Sequence, residues 1–471
     1  MKKLNLLLVL TLLLCVSCGN EANEPEVTTT DSADVTTEEV VTDIYENLRG
    51  LDFDGYEFNI LTYDNESWET YAAPEAETGD VLNDSAFKRN LEVMELLNVD
   101  ISLIRDANSE SSFRNMVLAG DSSEYDMIIF WSPGERSSFI SGGLTYDVST
   151  MPYMNLDAEW YNQTANDAYT IAGKQFFFVS DLSFPVQQHF RILFNKQLAE
   201  DYKIESPYDA VFDGSWTIER LLSDCKGIYS DLNGDAKAGL EDRYGMVLNH
   251  AFASVFPLNA GEIQVYSTDD GFELNLYSER IVKLVEYIVG FNSNEDIYVN
   301  TNANAQYDIF YAGNALYMPY GSDPALLRDV EFDFGYLPYP KLDENQEDYV
   351  VWSAGGMMAI PASAENVERT GAVIEALSIG SNKYVKDAFI EKYIEGKILR
   401  DDESQQIYRM MRDAATYDLS YNIDPSGTLS NYAYYSYFMQ QGSADVASRY
   451  AQISERIEES YSKLYDSVVN Q

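Results

Sequence analysis

The alternation of apolar and polar stretches in the first third of the folded part sets the fold class. Residues 56–63, YEFNILTY, have the composition of a strand. Asp84 can then cap a helix in which Phe87, Leu91 and Met94 fall at i, i+4 and i+7, the spacing of one apolar helix face. Residues 99–104 return to strand, a second helix runs through 113–118, and residues 125–131, YDMIIFW, form a buried strand. Strands alternating with helices predict an α/β protein with a mainly parallel sheet, because parallel neighbours need a crossover between them. No internal repeat is visible.

Upstream the pattern changes twice. Residues 21–46 hold nine acids and no Lys or Arg, with the run Val27-Thr28-Thr29-Thr30-Asp31-Ser32. Such self-repelling sequence buries too little apolar surface to fold, so residues 19–50 are expected to be an acidic flexible tether, with the globular part starting near Leu51. Before it, Lys2 and Lys3 precede an apolar run over residues 4–14, then Val16-Ser17-Cys18. The run falls below the roughly 20 residues of a membrane-spanning helix and has the layout of a cleaved secretory signal. The small residues before Cys18 resemble a bacterial lipobox, although Cys15 stands where that pattern usually has leucine. Residues 1–18 are therefore expected to be a lipoprotein signal ending at a lipidated Cys18, which anchors the chain to the outside of a bacterial cell membrane. The alternative is an ordinary secretory signal with incidental cysteines.

The formal net charge of −47 makes nucleic acid and anionic lipid headgroups poor partners. With 471 residues and 45% hydrophobic content, two lobes or more are expected. Beyond Cys15 and Cys18 only Cys225 remains, so no disulfide is available within the mature chain, and Cys225 is expected to be a buried small hydrophobe.

The sharpest local motif is Asp231-Leu232-Asn233-Gly234-Asp235, followed by Asp242. Counting from Asp231, oxygen side chains fall at loop positions 1, 3, 5 and 12, the spacing that wraps a loop around one Ca2+ ion. Two departures stand against it: Ala236 occupies the sixth position, normally glycine, and Asp242 is shorter than the usual glutamate. An Asn-Gly turn with solvated acids is the other reading. No organic cofactor is expected.

Enzyme signatures are absent. With 78 acids, paired carboxylates arise by chance and say nothing about a glycosidase. His189 and His250 lie in no metal-spacing motif, Ser132 and Ser215 lack the glycine-flanked elbow of a hydrolase, and there is no phosphate-binding loop.

Several segments together resemble one family. They are Asn83-Asp84-Ser85-Ala86-Phe87-Lys88-Arg89-Asn90, YDMIIFW, Gly173-Lys174-Gln175-Phe176-Phe177-Phe178 and Leu193-Phe194-Asn195-Lys196. Gly214-Ser215-Trp216-Thr217, Phe310-Tyr311-Ala312-Gly313-Asn314-Ala315-Leu316 and Ser353-Ala354-Gly355-Gly356 follow in the same order. In that order they resemble the family 1 extracellular solute-binding proteins, the receptors of carbohydrate ABC importers. The resemblance implies a two-lobed periplasmic-binding-protein-like fold, each lobe a mainly parallel sheet with flanking helices, and a hinge crossed several times. It places one lobe at 51–188 and 354–400 and the other at 189–353 and 401–471. Crossings are expected near 184–189 and 352–356, with a helical crossing near 400; Pro185 and the pair Gly355-Gly356 suit a chain that must bend there. It further implies a monomer that captures a mono- or oligosaccharide, hands it to importer permease subunits, and does no catalysis. A non-sugar solute or a sensor role is the alternative, and a secreted glycan hydrolase or adhesin a more distant one.

A sugar offers an apolar ring face to an aromatic side chain and hydroxyls to short polar ones. The 36 tyrosines support that chemistry only weakly, since most must pack, as expected of Tyr153, Tyr161, Tyr432, Tyr434 and Tyr435. By position in the family pattern, Trp131, Tyr320 and Trp352 are the stacking candidates. Gln188, His189 and Asp323 are the hydroxyl-binding candidates, and Ser132 follows Trp131 at the end of a central strand, where open sheets present ligand loops.

Overall fold

The computed structural model describes residues 43–67, 71–121, 123–130, 136–186, 188–300, 305–321, 324–328 and 330–471. Cys18 and most of the acidic tether lie outside the described residues. Tyr45 and Leu48, inside the segment expected as tether, are buried, so packing begins a few residues earlier than Leu51.

The first sheet opens with β1 (Tyr56–Thr62), paired in parallel along its length with β2 (Val99–Arg105), Tyr56 opposite Val99. β3 (Met127–Ile129) lies parallel on the other side of β1, shorter than the strand expected over 125–131. The chain then leaves this sheet through β4 (Gln188–His189) and enters a second one with β5 (Arg191–Asn195). There follow β6 (Tyr244–Asn249), a hairpin of β7 (Val265–Thr268) and β8 (Gly271–Leu274), then β9 (Ile297–Asn300), β10 (Ala315–Tyr320) and β11 (Phe334–Leu337).

The second sheet has the order β9-β6-β10-β5-β11, in which β9, β6 and β10 run parallel and β5 runs against both its neighbours. Every residue of β5, β6 and β10 is buried, which is why these strands read as continuous apolar runs rather than alternating ones. β12 (Val351–Ala354) carries the chain back antiparallel to β4, and β13 (Met358–Ala359) completes the first sheet beside β3. β14 (Ala415–Thr416) joins β12 in parallel, giving a three-stranded ribbon of β14, β12 and β4 between the two sheets. The result is a two-lobed α/β fold with a hinge crossed several times.

Two glycines end β12. Gly355 and Gly356 have φ of +82° and +71°, a left-handed conformation that side chains resist, and the Ser183 hydroxyl donates to the Gly356 carbonyl at 2.7 Å. The chain between helices Val367–Gly380 and Asp402–Asp413 winds through a π-helical stretch, Ala388–Ile398, before the second of these helices packs against β11.

The helix linking β1 to β2 is Val81–Leu97, and it departs from the expected capping and face. Asp80 is the cap, its carboxylate accepting the N–H groups of Leu82 and Asn83, while Asp84 accepts those of Thr78 and Gly79 in the preceding turn. Leu91 is 49% exposed; the buried face carries Leu82, Ala86, Arg89, Asn90, Val93 and Leu97. Arg89 accounts for the rotation. Its buried guanidinium donates to the carbonyls of Tyr71 (3.1 Å) and Ala72 and to the Ser381 hydroxyl (3.2 Å), tying two separate segments to the helix.

Gly214-Ser215-Trp216-Thr217 also has a local purpose. Gly214, at φ +81°, ends the helix Pro207–Asp213; the buried Trp216 donates its indole N–H to the Pro338 carbonyl at 2.9 Å; and Thr217 caps the helix Ile218–Cys225. Cys225 is fully buried under Gly245, in keeping with a packing role.

Candidate functional site

The parallel strands β6, β9 and β10 end at Asn249, Asn300 and Tyr320, the edge at which open α/β sheets present ligand-contacting groups. Tyr320 pairs with Arg191 at the head of β5, so this edge abuts the ribbon. The Arg191 guanidinium lies 4.7 Å from the centre of the Tyr320 ring and 5.0 Å from that of Tyr336, and it donates to the His189 carbonyl at 2.9 Å. Tyr320 is fully buried, with Tyr307 edge-on at 5.7 Å. It therefore faces packed neighbours in this conformation.

His189, also buried, meets the Ser353 hydroxyl through Nδ1 at 2.8 Å across the β4–β12 pairing. Burial, reinforced by Arg191 and Arg412, holds its pKa down at about 4, so the ring is neutral near pH 7. It serves as a neutral hydrogen-bonding group.

Beside it stands an aromatic cluster built by three remote parts of the chain. Trp352 of β12 packs on Phe190 (4.7 Å), Tyr421 (4.6 Å) and Tyr432 (5.4 Å). Its backbone N–H donates to Asn259 at 3.0 Å, but its indole N–H is buried without a hydrogen-bond partner among the described residues. Tyr432 is the half-buried member of the cluster; its hydroxyl accepts from that of Tyr421 at 3.0 Å. Asn431 and Tyr432 both take positive φ, +51° and +63°, a costly backbone for a bulky side chain. Gly321 lets the chain pass Phe190, since a Cβ there would lie 2.5 Å from its ring.

The structure thus brings His189, Tyr320 and Trp352 to the ribbon and the adjoining sheet edge. Gln188 lies on β4, its backbone paired with that of Ala354. Trp131, Ser132 and Asp323 lie outside the described residues. Sequence reasoning missed Arg191, Phe190, Tyr307 and Tyr421 altogether. It set Tyr432 with Tyr434 and Tyr435 as packing residues; the last two are fully buried, and Tyr432 packs against the core as a half-buried ring. Tyr161 packs as expected, its hydroxyl donating to the buried Glu375 at 2.7 Å. His250 is half-buried at the end of β6, where burial lowers its pKa.

In the 231–242 loop the acids accept backbone N–H groups of their own turn. Asp231 takes those of Gly234 (2.7 Å) and Ala236 (2.8 Å), and the buried Asp242 takes those of Leu232 (3.1 Å) and Gly239 (2.9 Å). Asn233 and Asp235 accept from Asp235 and Lys237 in turn. Ala236 adopts φ +58°, the left-handed backbone for which calcium loops use glycine. Among the described residues no group of three or more His, Cys, Asp or Glu side chains stands at metal-holding distance. The loop thus closes on itself through backbone N–H groups held by its own carboxylates.

No family model matches the chain, and no curated protein matches it in sequence. Solved structures do match. The GacH receptor of Streptomyces glaucescens, solved unliganded and with acarbose, is 14% identical, with a TM-score of 0.57 over 86% of this chain and 99% of that one. An ABC substrate-binding protein from Listeria monocytogenes in complex with cycloalternan is 12% identical, with a TM-score of 0.53 over 88% and 99%. A family 1 extracellular solute-binding protein from Bifidobacterium longum subsp. infantis is 12% identical, with a TM-score of 0.52 over 89% and 100%. The chain has the two-lobed fold of ABC-importer solute-binding proteins.

Proposed function

We propose that the protein is an extracytoplasmic binding protein, not an enzyme, that captures a neutral mono- or oligosaccharide between its lobes and delivers it to an ABC importer. The observation that carries this reading is the aromatic cluster of Phe190, Trp352, Tyr421 and Tyr432, set where the ribbon meets the carboxyl ends of the second sheet's strands. A half-buried Tyr432 offers a stacking face, the buried Trp352 lies beneath it, and the neutral His189 offers a hydrogen-bonding ring. In this reading Tyr432 contacts the sugar, Trp352 and Tyr320 support it, and Trp131, Ser132, Gln188 and Asp323 complete the site. Closure follows if the sugar touches both lobes only when they are together.

Thermal shift and calorimetry with maltose, maltotetraose, cycloalternan and acarbose test the assignment, because a ligand of the folded state raises the unfolding midpoint by mass action. At least one is expected to bind, and Tyr432→Ala to weaken it. If no glycan binds while a peptide or other solute does, the carbohydrate reading fails and a two-lobed receptor for that solute replaces it. Turnover of a glycan would mark a hydrolase.

The location belongs to the same proposal. Among the described residues no helix is long and apolar enough to cross a membrane. A lipid on Cys18 would hold the monomer at the membrane beside its importer, and Cys18→Ala is expected to release it into the soluble fraction. Equal membrane retention of that variant would rule the anchor out. One structural Ca2+ held by Asp231, Asn233, Asp235 and Asp242 completes the reading. Added CaCl2 should raise the unfolding midpoint and a chelator lower it, while an unchanged midpoint removes the ion from the account.

A further inference from the structure

Two helices that flank the second sheet, Ile218–Cys225 on β6 and Glu279–Phe291 on β9, leave a groove of about 400 Å3 between them. It is separate from the edge that carries the aromatic cluster: Asn294, at one end of the groove, precedes β9, whereas that edge begins where β9 stops, at Asn300. The floor is apolar, made by the half-buried Leu222 and the buried Phe291. Tyr287 forms a wall, and its ring is held in place because the hydroxyl donates to Glu219 on the facing helix at 2.8 Å.

Gly290 keeps the groove open. A glycine inside a helix costs about 1 kcal/mol relative to alanine, so its presence calls for a reason. Neither usual reason applies: its backbone is helical rather than left-handed, and a Cβ built there would meet no atom within 4 Å. Residues three apart lie side by side on a helix, and a side chain at 290 would lean back over position 287. Its absence leaves that side of Tyr287 uncovered.

The polar groups at the rim are partly engaged and partly free. The Lys283 ammonium is held by Asp343 at 3.2 Å. Glu286, exposed, has no hydrogen bond or ion pair among the described residues, and the Asn294 side chain uses only its Oδ1, which accepts the Asp296 N–H at 3.0 Å. A fixed aromatic wall, an apolar floor, a free acceptor and a free amide donor match a pyranose, with its C–H face and its rim of hydroxyls. The volume lies within the range of small-molecule sites. We propose that this groove is a second carbohydrate site, in which a sugar ring lies against Tyr287 over Gly290 and exchanges hydrogen bonds with Glu286 and Asn294. It needs no contribution from the cleft between the lobes. Two sites on one protein raise the effective concentration of a glycan chain long enough to meet both.

The test uses the full-length protein with maltotetraose, cycloalternan and acarbose as probes. Gly290→Leu fills the groove and Tyr287→Ala removes its wall, while Tyr432→Ala weakens the cleft. Gly290→Leu puts a stronger helix former at an exposed position, so its unfolding midpoint should not fall and lost binding cannot be blamed on lost folding. Calorimetry of the parent is expected to resolve two binding events for at least one probe. Tyr432→Ala should keep the groove event, and Gly290→Leu and Tyr287→Ala should each weaken it by roughly tenfold while leaving the cleft event unchanged. A single event that Gly290→Leu leaves untouched overturns the proposal, as does a second event that survives both groove variants. Scattering that reports a dimer in the parent and a monomer in Gly290→Leu overturns it too, because the groove would then hold a second copy of the chain. Binding lost in the groove variants but unaltered by Tyr432→Ala sinks the cleft reading and keeps this one. Binding of no probe sinks both.

Discussion

His189 links one buried ring to the behaviour of the protein in acid. Its folded-state pKa of about 4 lies below the ordinary value of 6.5, so between those two values the unfolded chain takes up a proton that the folded chain refuses. Its effect on stability is absent above about pH 6.5, grows as the pH falls, and is complete near pH 4. Urea midpoints measured from pH 7 to pH 4 should fall, and His189→Gln should flatten that part of the curve; parallel curves would remove His189 as the cause. At the neighbouring cluster two aromatic substitutions should separate support from contact. Trp352→Ala empties a fully buried site and should lower stability by about 3–5 kcal/mol. Tyr432→Ala, at a half-buried ring, should lower stability less and sugar affinity more, as read by chemical denaturation and calorimetry side by side.

At the level of elements, the helix Val81–Leu97 separates what a sequence discloses from what it withholds. Its existence follows from the apolar period, and β1 and β2 on either side were legible from composition. The face was not, because Arg89 sits where a charge would normally seek water and Leu91 where an apolar residue would normally hide. The carbonyls of Tyr71 and Ala72, the Asn90 side chain and the Ser381 hydroxyl together make that inversion stable, and burial pushes the Arg89 pKa down to about 9. The cap was displaced for a similar reason: Asp80 and Asp84 are both competent, and the preceding turn claims the second. Asp80→Ala should therefore lower stability by about 1 kcal/mol in urea through loss of the helix cap. Arg89→Met should lower it further, because the Tyr71 carbonyl and the Ser381 hydroxyl lose the guanidinium's N–H groups, while the Ala72 carbonyl keeps only Asn90 Nδ2.

Across the whole molecule, the order of family-like segments disclosed two lobes and a multiply crossed hinge, since several of them mark a strand end, a helix cap or a tight backbone turn. The site was less legible. His189, Tyr320 and Trp352 could be placed near the hinge by order alone, whereas Tyr421 and Tyr432 reach the same place from a remote part of the chain, a proximity that no local pattern encodes. Arg191 was hidden in a strand of apolar neighbours, where only pairing with Tyr320 reveals its place. If a sugar draws the lobes together, scattering should report a more compact particle on titration with saturating ligand. An unchanged profile at saturation would mean that binding leaves the lobe angle as it was.

The packing of Cys225 beneath Gly245 has a practical corollary. A Cβ added at Gly245 would lie 2.5 Å from that of Cys225, so the thiol sits in a close-fitting seat, and burial raises its pKa well above that of a free cysteine. In a chain without the leader cysteines it is the sole thiol. Alkylating reagents can then reach sulfur only when the second lobe opens, which turns Cys225 into an endogenous clock for that event. Its modification rate should be negligible under native conditions and rise with urea in step with loss of the second lobe's structure. The same sulfur gives the protein no means of forming adventitious disulfides in an oxidising environment while it remains folded.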